Sequence, residues 1–379
     1  MKKIFYLFLS FSILSLSVTG TAFAEESTNL QIKAPSAILM DYASGQIIYE
    51  KNPDEKLPLA SVTKIMTMLL AMEEIQKGNM SYDDMIVGSA NAKSYGGSTI
   101  FLEEGEQMSV RDILKGIAVA SGNDAAVAMG EHISGTEALF VERMNKRAAQ
   151  LGMKNTHFVN CNGLDADGHY STARDIAIMS RELMKHEDIF EFTTIWMDSL
   201  RNGEFTLSNT NKLVKFYDGC TGLKTGSTSK AKFCISATAK RNGMHLIAVI
   251  MADETSKQRQ ADASSLLNYG FSTYEVDNVI EKNTEVAKLS VPKSEVDTVS
   301  IVTKSGFDYL HKKTENAKIE TKQQLKKIKP PIAKGDEAGT LKILVNGKET
   351  HKINLIYASD APKAGYMFVF KNLLMDFVC

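Results

Sequence analysis

Apolar and polar positions divide the chain into stretches of different period. In residues 36–51, two short runs, Ala37–Met40 and Gln46–Tyr49, flank Ser44-Gly45, and this spacing predicts a β-hairpin. Pro58 then precedes a strongly apolar run, Ile65–Met72, closed by Gly78-Asn79, which reads as a helix with its start and stop. That helix is apolar on nearly every side, so it is expected at the centre of a core. From residue 80 to about 200, helical spacing dominates, as in Val110–Val119, Ala125–Ile133, Thr136–Leu151 and Ala173–His186. From Lys232 strands return, with Phe233–Ala239 and His245–Ala252 joined across Lys240-Arg241-Asn242-Gly243. Residues 257–272 read as a closing amphipathic helix through Ala261, Leu266, Leu267 and Tyr269. Strands thus open and close this region and helices fill its middle. The expected class is α+β, an antiparallel sheet with a helical insertion.

After about residue 275 the pattern shifts to short alternating stretches, Val286–Val291, Thr298–Thr303, Leu341–Val345 and Lys352–Tyr357, with Asn346-Gly347 as a hairpin turn. These predict a small all-β domain. The basic run Lys322–Lys329 reads as a solvated strand edge or loop. Gly365–Val378 is nearly all apolar, and its polar residues Lys371, Asn372 and Asp376 share one sector of a helical wheel. It is too short to span a bilayer and is expected to lie in the membrane interface by its apolar face, the alternative being a helix docked on the β domain. At the other end, Lys2 and Lys3, the apolar run Ile4–Val18 and Ala22-Phe23-Ala24 have the form of a cleavable signal peptide. The expected organisation is a signal peptide over 1–24, a catalytic domain over 25–275, a β-rich domain over 276–360 and a membrane-associating segment over 361–379. The protein is therefore expected to work outside the cytoplasm, on the outer face of the cytoplasmic membrane.

The formal net charge of -1 gives no general attraction to nucleic acid. Cys161, Cys220, Cys234 and Cys379 are widely and irregularly spaced, unlike a disulfide framework, and read mostly as small apolar residues. The histidines, among them His132, His157 and His169, show no metal-binding spacing, so neither a metal nor a cofactor is expected.

Three short motifs carry candidate chemistry. Ser61-Val62-Thr63-Lys64 stands at the start of the apolar helix, and its spacing puts Ser61 and Lys64 one turn apart on one face. Backbone N–H groups at a helix start can also stabilise a developing oxyanion. Ser121-Gly122-Asn123 offers a hydroxyl and a carboxamide from a loop after Ile117–Ala120. Lys224-Thr225-Gly226 precedes the strand pair and supplies a cation, a hydroxyl and a residue small enough for close approach. Each motif alone is weak. Ser227–Lys230 and Ser290–Lys293 repeat the first spacing, and Ser27–Asn29 and Ser89–Asn91 repeat the second. Their order and contexts together are specific, because this trio marks class A β-lactamases and penicillin-binding proteins. No His–Asp arrangement is evident, so Lys64 is the candidate base for Ser61. An ordinary lysine is neutral too rarely at pH 7, a handicap of roughly 4.6 kcal/mol. Burial and a neighbouring cation such as Lys224 would have to lower its pKa.

Around the trio, Phe101–Gly105, Ser121–Ala126, Asn155–Phe158, Gly163-Leu164 and Tyr170–Asp175 resemble the D-alanyl-D-alanine carboxypeptidase family, the low-molecular-mass penicillin-binding proteins. The resemblance is close over residues 30–275 and weaker over 276–360. One departure is Cys161, where family members often carry proline. The resemblance implies a serine carboxypeptidase that removes the terminal D-alanine from peptidoglycan stem peptides through an acyl-enzyme on Ser61. It also implies covalent inhibition by β-lactams. It makes Ser121 the relay to the leaving amine and Asn123 an orienting group. Lys224 and Thr225 are suited to the substrate carboxylate, and Arg259, near a family arginine's position, either assists or is a surface helix residue. The oxyanion hole would use the N–H groups of Ser61 and Ser227, beside Gly226. Two alternatives share parts of this pattern: a class A β-lactamase, although no Glu-x-x-Leu-Asn motif follows Ser121, and a non-catalytic wall-binding protein.

Overall fold

The computed structural model describes residues 30–370. The expected signal peptide lies outside them, as do Cys379 and the polar residues of the terminal segment, Lys371, Asn372 and Asp376.

The catalytic half is built on a five-stranded sheet in which all the pairings are antiparallel. Its strands run in the order Ile47–Lys51, Ser36–Asp41, Met244–Asp253, Lys232–Arg241 and Cys220–Thr228. All ten residues of Met244–Asp253 are buried, because helices cover both faces of the sheet. The closing helix, Ser256–Thr273, packs on one face, where Gly270 lies against Leu246 and Leu39. Ile247, Val249 and Met251 point the other way, into the helical module. Asn242 and Gly243 both take positive φ (49° and 80°), which suits the tight turn joining the two strands.

At the centre of the helical module lies Lys64–Gln76, buried without a break from Lys64 to Met72. Helices Asn123–Ser134, Glu137–Gln150 and Ala173–Leu183 surround it. Side chains of Thr136 and Thr172 cap the last two. Outer ends are tied by ion pairs, Arg143 to Glu74 and Arg147 to Glu73 and Glu182. The helix expected over Val110–Val119 is α-helical only to Lys115 and continues as a π-helical turn, Gly116–Ala120.

The β-rich half follows the closing helix directly. Tyr274–Ile280 pairs with Phe307–Lys312. A second five-stranded sheet runs Glu285–Ser290, Thr298–Thr303, Lys348–Tyr357, Glu337–Val345, Ile319–Leu325. Val345 pairs with Lys348 across Asn346 and Gly347, whose φ values of 51° and 79° suit a two-residue hairpin loop. The basic run Lys322–Lys329 begins in the exposed edge strand of this sheet and leaves it as a loop. Among the described residues no helix is long and apolar enough to cross a membrane.

Candidate active site

Ser61 lies in a single 3-10 turn, Ala60–Thr63, immediately ahead of the central helix. Ala60 there has φ 48°, a strained value for a residue with a Cβ. Close contact explains the shape of this turn. A Cβ on Gly226 would lie 2.7 Å from the Ser61 backbone nitrogen, and one on Gly163 would lie 1.9 Å from the Ala60 carbonyl oxygen. The turn is thus pressed between the strand that carries Lys224-Thr225-Gly226 and the loop that carries Asn162-Gly163.

Lys64 is fully buried, and its ammonium donates to three oxygens: Ser61 Oγ at 2.9 Å, Asn123 Oδ1 at 2.6 Å and the Asn162 carbonyl at 2.6 Å. No carboxylate pairs with it among the described residues. Burial is the main reason its pKa falls to about 7, with Asp124 pulling the other way. Half of such lysines are neutral near pH 7, so most of the handicap of an ordinary lysine disappears.

Asn123 also donates from Nδ2 to the Gly96 carbonyl at 2.7 Å, and its backbone N–H donates to Ser98 O at 2.7 Å. The next residue, Asp124, accepts the N–H groups of Ile100 and Leu102. Residues 96–102 are thereby fixed to the helix that begins at Asn123. Ser121 ends the π-helical turn in a left-handed conformation, φ 65°. Its hydroxyl has no hydrogen-bond partner among the described residues, and Lys64 spends its three N–H groups elsewhere.

Lys224, Thr225 and Gly226 sit inside the strand Cys220–Thr228, not ahead of a strand as the sequence spacing suggested. This is the edge strand of the sheet. The residues expected to mark a turn instead form one wall of the cleft. Lys224 is 1 % exposed and donates to the Thr225 carbonyl at 2.9 Å. Burial first, then Lys64 and Arg259, hold its pKa well below the ordinary value. Thr225 donates to Thr210 Oγ1 at 2.8 Å, and Ser227 is exposed. Arg259 is no surface residue. It is 5 % exposed and reaches behind the strand to the carbonyls of Gly226 and Cys234, both at 3.3 Å. Burial lowers its pKa to about 10.

Sequence reasoning marked Cys161 and Gly163-Leu164 in the resemblance but gave the backbone of the loop around Asn162 no role. Besides Asn162 O on Lys64, the Cys161 carbonyl accepts from Thr67 Oγ1 at 2.6 Å, and His169 Nε2 is 2.8 Å from Thr63 Oγ1. Backbone carbonyls carry no residue signal, although the Asn162-Gly163 dipeptide does mark a turn. Cys161 and Cys234 are buried free thiols, and Cys220 is half-buried.

Residues 21–255 match the family described as D-alanyl-D-alanine carboxypeptidase, and residues 274–363 match the penicillin-binding protein 5 C-terminal domain. The chain belongs to the D-alanyl-D-alanine carboxypeptidase family. It is 43 % identical to the D-alanyl-D-alanine carboxypeptidase DacF of Bacillus subtilis, over 97 % of both chains. It is 31 % identical to DacA of Escherichia coli, over 89 % of this chain and 85 % of the relative. The crystal structure of penicillin binding protein 5 from Haemophilus influenzae superposes with a TM-score of 0.73 at 32 % identity, covering 89 % of this chain and 99 % of that one. Penicillin-binding protein D2 of Listeria monocytogenes, solved in its ampicillin-bound form, is 32 % identical with a TM-score of 0.59. It covers 64 % of this chain and 100 % of its own. These likenesses support a serine D-Ala-D-Ala carboxypeptidase over the β-lactamase and wall-binding alternatives.

Proposed function

We propose that this carboxypeptidase uses Ser61 as its nucleophile and Lys64 as its base. The observation that carries the reading is a buried lysine 2.9 Å from a serine hydroxyl, with no carboxylate paired to it among the described residues and its pKa lowered by burial to about 7. Neutral Lys64 keeps its N–H bonds to Asn123 and Asn162 and turns its lone pair to the Ser61 O–H. Ser61 Oγ then bonds to the carbonyl carbon between the two D-alanines of a peptidoglycan stem peptide, and its proton passes to Lys64 Nζ. The oxyanion is met by the N–H groups of Ser61 and Ser227. Losing one such donor costs about 3–4 kcal/mol in comparable sites. Lys64 returns the proton through Ser121 to the departing amine, and the C–N bond breaks. Water then enters by the reverse route and releases the shortened peptide. Lys224 and Thr225 receive the terminal carboxylate. An anionic end group would favour the charged form of Lys224, which burial opposes. Asn123 orients Lys64, and Arg259 acts from behind, holding the Gly226 carbonyl. A β-lactam reacts at the same carbonyl type, but its leaving nitrogen stays tethered by the opened ring and obstructs the water.

The test is mass spectrometry of digests after penicillin exposure. A long-lived adduct on the peptide containing Ser61, absent in Ser61→Ala, is expected. No adduct, or an adduct elsewhere, overturns the assignment. We further propose that the chain is exported through a signal peptide over 1–24. Its catalytic domain would span 25–275, its β-rich domain 276–360, and a membrane-associating segment 361–379. Support for the last comes from residues 366–370, a helical turn on which Tyr366, Met367, Val369 and Phe370 are all exposed.

A further inference from the structure

The two walls of the cleft belong to different parts of the fold. Ser61 and Lys64 come from the helical module, whereas Gly226 and Ser227 come from the edge strand of the sheet. Among the described residues, that strand has no neighbouring strand on its cleft side to hold it. The loop over residues 160–169 is fastened to the first wall through Asn162 O on Lys64, Cys161 O on Thr67 and His169 on Thr63. The Val159 N–H donates to His169 Nδ1, so the ring proton sits on Nε2 and is donated to Thr63. The same loop reaches the second wall through Asp165. Its Oδ1 accepts from Thr228 Oγ1 at 2.7 Å, and its Oδ2 faces the Lys230 N–H at 3.4 Å and Ser229 Oγ at 3.5 Å. Thr228 Oγ1 in turn accepts from the Ala231 N–H at 2.9 Å, inside the turn that ends the strand. An outer ion pair, Asp167 with Lys230 at 3.5 Å, is too solvated to hold much.

We propose that Asp165 is a positioning residue for acylation: it ties the end of the edge strand to the loop that grips Lys64. It thereby fixes the distance between the Ser61 and Ser227 N–H groups that must meet one oxyanion. The proposal rests on the assignment of Ser61 and Ser227 above. Thr228 adjoins Ser227, so slack in this tie moves an oxyanion donor directly. A displacement near 1 Å can cost as much as about 100-fold in rate.

Full-length chain is mixed with a fluorescent penicillin over a concentration range, separating the acylation rate constant from the non-covalent dissociation constant. Asp165→Ala is expected to slow acylation about 10- to 100-fold with little change in dissociation constant or Tm. Asp165→Asn keeps an oxygen for Thr228 and is expected within about twofold of the parent, a rescue that a general charge effect would not give. Thr228→Val should match Asp165→Ala, and the double variant should be no slower than either alone. An unchanged rate in Asp165→Ala, an Asp165→Asn variant as slow as the alanine, or additive losses in the pair would each overturn the tie. Failure of the underlying assignment looks different: the parent protein itself would carry no adduct on Ser61.

Discussion

Lys64 has as many oxygen acceptors as its charged form has protons, and that suits the base role proposed for it. Losing one proton frees a lone pair while two N–H bonds still hold the amine in place. Burial lowers its pKa to about 7, so the charged form dominates below that pH and the reactive form above it. Acylation efficiency by penicillin should therefore rise tenfold per pH unit below about 7 and level off above it. Lys64→Met should lose this limb along with about 100-fold or more of the rate. A pH profile flat between 5 and 8 would remove Lys64 as the base. At this scale four of the proposed site side chains, Ser61, Lys64, Asn123 and Lys224, stood in motifs, whereas Asp165 stood in none. The sequence was silent on the Asn162 carbonyl, because any residue offers one. Arg259 was ambiguous because a surface arginine and one buried behind a strand are written alike.

Elements were legible in proportion to how far ordinary packing shapes them. The buried helix and the strand pair ending at Asp253 follow apolar spacing, and the Asn346-Gly347 turn follows backbone preference. The strand Cys220–Thr228 does neither. Its sequence, Cys-Thr-Gly-Leu-Lys-Thr-Gly-Ser-Thr, is small and polar because one edge faces a cleft and Gly226 must touch the Ser61 turn. Function overrode the strand pattern, and the motif read as a turn. The π-helical turn Gly116–Ala120 escaped for a related reason: apolar spacing continues through it while the backbone widens to place Ser121. Two glycines separate backbone freedom from close contact. Gly78 and Gly163 both have positive φ, 74° and 92°, but a Cβ on Gly78 meets nothing within 4 Å. Gly78→Ala should cost about 1 kcal/mol, and Gly163→Ala more than about 2 kcal/mol together with much of the acylation rate. Urea unfolding and penicillin labelling of both variants check this. Equal losses would mean that contact with Ala60 is unimportant.

At the scale of the whole molecule, the β-rich half carries the chain from the catalytic half to an apolar end. Its last described residues leave the sheet where Ile332 pairs with Ala361 and Ser294 with Lys363. Five residues after Ala361, Tyr366 is 96 % exposed, and Phe370 is 57 % exposed. Leaving two aromatic rings in water is unfavourable, and the interface of a bilayer is one place to bury them. At this end Lys326 pairs with Glu337, and Asp336 and Asp360 accept nearby backbone N–H groups, while Lys327, Lys329, Lys334 and Lys363 stand close by in the chain. The exposed apolar side chains Tyr366, Met367, Val369 and Phe370 predict attachment through apolar area more than through lipid charge. In flotation with phospholipid vesicles, the full-length chain should rise with the lipid whether the vesicles are zwitterionic or anionic. Replacing Tyr366 and Phe370 together by serine removes on the order of 3 kcal/mol of apolar transfer, which is about a hundredfold in partitioning. Penicillin acylation of that variant should match the parent, because neither ring contributes to the cleft. Flotation that needs anionic lipid would instead point to the lysines of the β-rich half. Unchanged flotation of the double variant would show that these rings do not anchor the chain.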